Sequence, residues 1–294
     1  MLPAEVMRQV RRLQLRARRA VRTLLGGEYR SAFKGAGLSF EEVREYQPGD
    51  EVRSIDWNVT ARMGHPFVKR YAEERELTLV LMVDLSASQR FGTGSVTKRT
   101  AAAELAAVLA FAAVTHNDRV GLLGFTDRVE RYVPPGKGPR HALRVLRDVL
   151  FFEPTRKGTD LAAALDYLNR VHRRRAIVFL FSDFLGDNFT DSFNRAARRH
   201  DLIAVRTTDP REQDWPAAGL VRLEDAETGR QVVIDAGSRS FRDAFAARAR
   251  DRRATFTRLA RAAQVDLIDV DTGGNHFDAL LRFFRLRDRR RRGT

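Results

Sequence analysis

Hydroxyl and carboxylate side chains fall at three places where a folded chain can bring them together. Asp84-Leu-Ser86-Ala-Ser88 ends one apolar run, Ser182-Asp183 ends another, and Gly158-Thr159-Asp160 opens a helical stretch. The alternation in Asp-x-Ser-x-Ser lets the side chains of one short loop converge. Gly158 is expected to let the second loop approach closely. Oxygen-only donor sets with few carboxylates suit a hard cation that keeps part of its water, above all Mg²⁺, with Mn²⁺ or Ca²⁺ as alternatives. The competing reading is a group of Ser and Asp caps at strand ends that satisfies free backbone N–H groups and holds no metal.

The elements that must position these groups are legible in the hydrophobic pattern. LTLVLMVDLS (77–86) and AIVFLFSDF (176–184) read as strands buried on both faces. DRVGLLGFTD (118–127), DLIAVRTTD (201–209) and VDLIDVD (265–271) read as further strands. Helices are expected over 99–115, 139–150, 160–172, 190–199, 238–264 and 276–286, and LVRLED and RQVVID flank a hairpin turn at Thr228-Gly229. Strands alternating with helices predict an α/β fold, a doubly wound, mostly parallel sheet covered on both faces. Ligands of such sheets bind outside the carboxyl ends of the strands, where the three polar groups lie.

Upstream, Val6, Val10, Leu13, Ala17, Val21 and Leu24 are spaced three or four apart among arginines, which predicts an amphipathic helix over 4–25. Its apolar stripe needs a surface from its own domain, a partner or a membrane face. Residues 35–76 are polar and charged, with a turn at Pro48-Gly49 and a short strand over Phe67–Tyr71. The expected organisation is a basic helix (1–25), an adjoining segment (26–76), the α/β domain (77–286) and a basic tail (287–294).

Of the 294 residues, 43% are hydrophobic, enough for a sizeable core, and none is cysteine. A disulfide framework and a thiolate metal site are therefore excluded. The most apolar segment, residues 101–114, is broken by Glu104 and is shorter than the roughly 20 residues of a membrane span. The basic N-terminal stretch has no apolar core of the secretory kind. A cytoplasmic location is expected.

The formal charge of +15 is concentrated at the two ends, in Arg8, Arg11, Arg12, Arg16, Arg18, Arg19 and Arg22, and in Arg285, Arg287 and Arg289 to Arg292. Such clusters attract acidic proteins, nucleic acid or anionic lipid. No aromatic residue is interleaved among the terminal arginines to stack on bases, which favours a solvated face and tail.

Catalytic constellations are wanting. Ser95-Val-Thr-Lys98 matches Ser-x-x-Lys without the companion motifs of that enzyme class. Gly92-Thr-Gly94-Ser-Val-Thr-Lys98 lacks the spacing of a phosphate loop. Ser86 stands where an Asp-x-Asp phosphatase needs its second aspartate, and the histidines at 65, 116, 141, 172, 200 and 276 form no spaced metal pair. The chain is not expected to be an enzyme.

Asp84-x-Ser86-x-Ser88, Gly158-Thr159 and Ser182-Asp183, in this order and on these elements, resemble the metal-ion-dependent adhesion site of von Willebrand factor A domains. The resemblance implies that Ser86 and Ser88 ligate the metal through their hydroxyls. It implies that Thr159 does so directly or through water, and that Asp84 and Asp183 hold metal-bound waters. One position is left for a partner's acidic side chain.

Tyr46, Pro48, Gly49, Asp50, Arg53, Ile55, Asp56, Trp57, Ala61 and Arg62 resemble the signature of a bacterial family known as domain of unknown function fifty-eight. LEDAETGR (223–230) and DLIDVDTG (266–273) are similar to that family as well. Many of its members carry membrane segments before the signature, where this chain has its basic helix. The resemblance implies an adaptor that works with a MoxR-type AAA+ ATPase in chaperone-like assembly or metal insertion, gripping the ATPase or an acidic client. The alternative is nucleic-acid binding through the arginine-rich ends, which would weaken steeply with salt. Asp50, Arg53, Asp56 and Arg62 are expected to form a charged network over Trp57 that supports the metal loops or presents a partner surface.

Overall fold

The computed structural model describes residues 76–186 and 188–292, and before them 14, 15, 17, 21, 28–33, 42–48, 50, 52 and 55–70. In chain order the elements are α1 (Glu28–Phe33), β1 (Glu42–Glu45), α2 (Trp57–Met63), β2 (Phe67–Arg70), β3 (Thr78–Asp84), α3 (Lys98–Thr115), β4 (Arg119–Phe125) and β5 (Val129–Gly136). They continue with α4 (Pro139–Phe151), α5 (Leu161–Val171), β6 (Ile177–Ser182), α6 (Thr190–Arg199), β7 (Asp201–Thr208), β8 (Leu220–Glu224), β9 (Gln231–Asp235), α7 (Arg239–Ala262), β10 (Asp266–Asp271) and α8 (His276–Arg292).

The main sheet has the order β5-β4-β3-β6-β7-β10. Every neighbouring pair is parallel except β4 with β5. The chain starts at β3, moves outward through β4 and β5, then returns to the other side of β3 for β6, β7 and β10. This reversal makes the sheet doubly wound, with its switch point between β3 and β6.

Strand alternation divides the core. Leu79, Leu81 and Val83 pack with α3, α4 and α8, while Val80 and Met82 pack with α5, α6 and α7. The Thr97 hydroxyl caps α3 by accepting from Thr100 N at 3.1 Å. Its run of alanines is buried on nearly every side.

The sheet contains a strand that the hydrophobic pattern did not indicate. Val129–Gly136 mixes charges with Pro134 and Pro135, yet it forms the antiparallel edge. An edge strand tolerates proline because its outer side needs no ladder donor.

At the other end of the chain, α8 runs on to Arg292, so residues 287–292 are helix and not tail. The Arg287 guanidinium lies over the Phe33 ring, 4.8 Å from its centroid. It donates to Ala32 O at 3.2 Å and pairs with Asp201 and Asp266. Arg290 pairs with Asp266 at 3.0 Å. These carboxylates neutralise part of the basic run and extend the helix along the domain.

Most of the 4–25 segment, with its arginines, lies outside the described residues. Within it, Ala17 and Val21 are helical and buried in the core that contains Tyr29 and Phe33, so this part of the apolar stripe covers its own domain. No helix among the described residues is long and apolar enough to cross a membrane.

The upstream segment forms a small unit of antiparallel β1 and β2 with α2. Asp50 and Asp56, two members of the expected charged network, have partners within this unit. Asp50 accepts a two-point pair from Arg44 at 2.8 and 2.7 Å. Asp56 caps α2 through Oδ1, which accepts from Asn58 N at 3.0 Å and Val59 N at 3.3 Å. Trp57 is 66% exposed rather than covered by a charged network of the described residues, and Arg62 is exposed. Arg53 lies outside the described residues.

Candidate metal centre

The switch point brings the ends of β3 and β6 together, and with them the first candidate ligands. Ser182 Oγ donates to Asp84 Oδ2 at 2.7 Å, tying one strand end to the next. Ser86 N donates to Asp84 Oδ1 at 2.9 Å, which folds the following loop back over the strand. Ser86 Oγ and Ser88 Oγ are 3.0 Å apart, and Ser88 Oγ donates to Asp183 Oδ2 at 3.0 Å. Asp84, Ser86, Ser88 and Asp183 therefore form one connected set. Asp84, Ser86 and Asp183 are buried, and Ser88 is half-buried.

Thr159 arrives on a separate loop. Ala87 N donates to Lys157 O and Asp160 N to Thr126 O, both at 2.9 Å, which fixes that loop against the serine loop and β4. Asp160 is occupied as the cap of α5, accepting from Ala163 N at 2.8 Å. Thr159 Oγ1 donates to Glu227 Oε1 at 2.9 Å rather than to another expected ligand. Gly158 does not serve the expected close approach. A Cβ there would meet nothing nearer than 3.8 Å, an ordinary contact.

The backbone after Asp183 is strained. Phe184 has φ +54°, a left-handed conformation that costs a bulky residue on the order of 1–3 kcal/mol. Its ring stacks on Phe256 of α7 at 4.0 Å, and Leu185 N donates to Asp183 Oδ1 at 3.3 Å. Packing from α7 thus holds the turn that aims the Asp183 carboxylate.

Residues outside the expected set complete the site. Lys98, fully buried at the start of α3, donates to Asp183 Oδ2 at 2.8 Å and to Glu212 Oε1 at 2.6 Å. Glu212 belongs to a capping box: its Oε2 accepts from Asp209 N at 3.0 Å, and Asp209 Oδ1 accepts from Arg211 N at 3.0 Å. Thr93 and Thr272 hydroxyls donate to Asp209 at 2.8 and 2.5 Å. Gly92 is required for the tight loop that delivers Thr93, because a Cβ would lie 2.6 Å from Val96 O. The segment weighed as a phosphate loop is a structural brace, and Lys98 faces carboxylates.

Asp209 with Glu212 reads from sequence as a capping box. The burial of Lys98 has no sequence signal, because a lysine at a helix start is ordinarily solvated. Glu227 lies in the quoted LEDAETGR segment, but its spacing from Thr159 carries no hint of contact.

Electrostatics favour a cation here. Asp183 and Glu212 share the single ammonium of Lys98, and Asp84 and Glu227 lie close enough to feel the charge of Asp183. Burial, then the charge of Asp183, pushes the Asp84 carboxyl up to about 7 against hydrogen bonds from Ser86 and Ser182. Burial also raises Glu212, against the pull of Lys98. Glu227 is raised by burial, with Asp183 adding and the Thr159 hydrogen bond opposing. Burial works against the Lys98 ammonium, but Asp183 and Glu212 overcome it and raise its pKa. A divalent cation would relieve this crowding, and the hydroxyl-and-carboxylate donors match a hard ion. Among the described residues no group of three His, Cys, Asp or Glu side chains is placed to hold a metal, so a cation here would depend on the serine and threonine hydroxyls as well as the carboxylates.

Residues 42–255 match the model of the family described as "Protein of unknown function DUF58". The chain belongs to this family. The match runs from β1 into α7 and includes Asp84, Ser86, Ser88, Thr159, Asp183 and Glu227. Uncharacterized protein Rv1480 of Mycobacterium tuberculosis is 36% identical over 285 residues, covering 95% of this chain and 89% of that protein. Uncharacterized protein MAV169 of Mycobacterium avium is 38% identical over 133 residues, covering 44% and 77%. Among solved structures, conserved hypothetical protein BatB from Bacteroides thetaiotaomicron is 15% identical, with a TM-score of 0.46 over 72% of this chain and 99% of its own. The SpRpn10 VWA domain is 12% identical, with a TM-score of 0.38 over 70% and 94%. The main sheet of this DUF58 chain is doubly wound and mostly parallel, with one antiparallel edge strand.

Proposed function

We propose that the chain is a metal-dependent protein-interaction adaptor rather than an enzyme. The observation that carries this reading is the hydrogen-bonded set of Asp84, Ser86, Ser88 and Asp183 at the switch point, with Thr159 on the adjoining loop. Ser86, Ser88 and Thr159 would supply neutral oxygens, and Asp84 and Asp183 would supply charge. A bound Mg²⁺ offers a Lewis-acid position that accepts a carboxylate from a partner. Lys98 and the capping box at Asp209–Glu212 hold Asp183 in place and limit the negative charge left over.

A cavity of about 500 Å³ adjoins Asp183 and is lined by Phe184, Glu212, Phe245, Arg250 and Phe256, among others. It would take an apolar side chain beside the partner's acidic one. The net positive charge would speed encounter with an acidic surface. Within this reading the partner is a MoxR-type AAA+ ATPase or its acidic client, and the process is assembly or maturation of a protein complex.

Calorimetry with Mg²⁺ and Mn²⁺, on the wild type beside Ser86→Ala/Ser88→Ala, tests the proposal. Binding is expected in the wild type and lost in the double variant. A folded wild type that binds neither ion would refute metal dependence. Partner capture should then follow the same pattern, lost with chelator and with Asp84→Ala.

A further inference from the structure

One of the chain's own acidic side chains reaches a candidate ligand of this site. Glu227 sits at the tip of the β8–β9 hairpin, more than 60 residues beyond Thr159, and its Oε1 accepts from Thr159 Oγ1 at 2.9 Å. Its neighbours Asp225, Ala226, Thr228 and Gly229 are exposed, while Glu227 is half-buried. The turn is built to aim it. Asp225 Oδ1 accepts from Glu227 N at 3.0 Å and Thr228 N at 2.8 Å, and Gly229 closes the turn with φ +72°. Among the described residues Glu227 has no ion pair, so a carboxylate has been brought toward Asp183 without a cation of its own.

The hairpin is otherwise loosely attached. Leu220 and Val233 are 77% and 65% exposed, and the strands bond to each other. Among the described residues, the Glu227–Thr159 bond is the only hydrogen bond from the hairpin tip (224–231) to the rest of the molecule. An arm with this little packing opens locally at small cost.

We propose that Glu227 is the chain's own acidic ligand at the metal site, delivered by the hairpin to the position a partner's carboxylate would take. The inference rests on the metal-dependent reading above. A partner must then displace Glu227, and the hairpin swings away from Thr159 when it does. The contact sets a threshold: a lone carboxylate competes poorly with a tethered one, whose effective concentration is high. A partner that also fills the cavity beside Asp183 competes well.

Hydrogen exchange of residues 220–235 with and without Mg²⁺, together with Mg²⁺ calorimetry, tests this in the wild type and in Glu227→Gln. The substitution keeps size and shape, so folding is not at issue. Mg²⁺ is expected to slow exchange at the hairpin tip in the wild type and not in the variant, whose Mg²⁺ affinity falls by roughly tenfold. The peptide acetyl-Gly-Glu-Gly-amide is expected to bind the Mg²⁺-loaded variant at least tenfold more tightly than the loaded wild type. Equal affinity, equal protection and equal peptide binding in the two proteins would overturn the role of Glu227 and leave the metal site standing. Absence of Mg²⁺ binding from both proteins would overturn the metal-dependent reading and this inference with it.

Discussion

Two glutamates lie within the electrostatic reach of Asp183 and are held in opposite ways. Glu212 is tied by both oxygens, to the Lys98 ammonium and to the backbone of its own capping box, at the end of a central strand. Glu227 is held by one threonine hydroxyl at the tip of an exposed hairpin. The first is part of a charge network that the fold cannot release without unfolding locally. The second can leave with its arm. In the proposed adaptor, the fixed carboxylates would set the charge of the site and Glu227 would be the one released.

The largest effect should come from breaking the fixed side. Lys98→Met leaves buried Asp183 and half-buried Glu212 without their cation and should lower stability by about 3–5 kcal/mol in urea unfolding. Mg²⁺ should recover part of this loss, since the variant site is more negative. A loss under about 1 kcal/mol would show that Lys98 is not what holds these carboxylates.

Glu212→Gln keeps the shape of the capping box but removes one partner of the ammonium. It should cost about 1.5–3 kcal/mol by the same measurement. A Glu212 variant as stable as the wild type would place it with Glu227 on the releasable side.

The far end of the sheet supplies a control that should not respond to metal. His200, buried before β7, accepts from Ala176 N through Nδ1 at 3.3 Å. Burial, helped by His172 and nearby arginines, lowers its pKa from 6.5 to about 4. The unfolded chain therefore takes up the proton first. The stability from neutral His200 is complete above about 6.5 and declines as pH falls toward about 4. For one proton the slope is at most about 1.4 kcal/mol per pH unit. His200→Asn should remove this slope with or without Mg²⁺. If the slope persists in that variant, another group is responsible.

The smallest effect on global stability should come from the releasable side. Glu227→Gln should change unfolding by less than about 1 kcal/mol, as for other half-exposed polar contacts. Urea denaturation that shows a larger loss would mean that the hairpin is an integral part of the core, and the comparison with Glu212 would fail.

The alternation of buried strands with helices, the doubly wound class and the places of Asp84, Ser86, Ser88, Thr159 and Asp183 all follow from periodicity and motif. Each depends on near neighbours in sequence: an apolar run makes a buried strand, and residues just past its end lie at the sheet's carboxyl edge. The edge strand Val129–Gly136 escaped because edges relax the pattern that marks central strands, admitting charge and proline. Trp57 was misjudged because burial of an aromatic is a property of what surrounds it, and here α2 buries none of its residues.

What tertiary structure alone decided is how the site is charged and closed. Lys98, Glu212 and Glu227 come from three elements remote in sequence, and their meeting depends on how the ends of the strands and the hairpin are placed. Desolvation and Coulomb interaction act through space, so neither the burial of Lys98 nor the crowding of carboxylates around it has a spacing that a sequence could display. The sequence determined where Asp84, Ser86, Ser88, Thr159 and Asp183 lie relative to the strand ends. The packing determined which charges surround these residues and that Glu227 reaches Thr159.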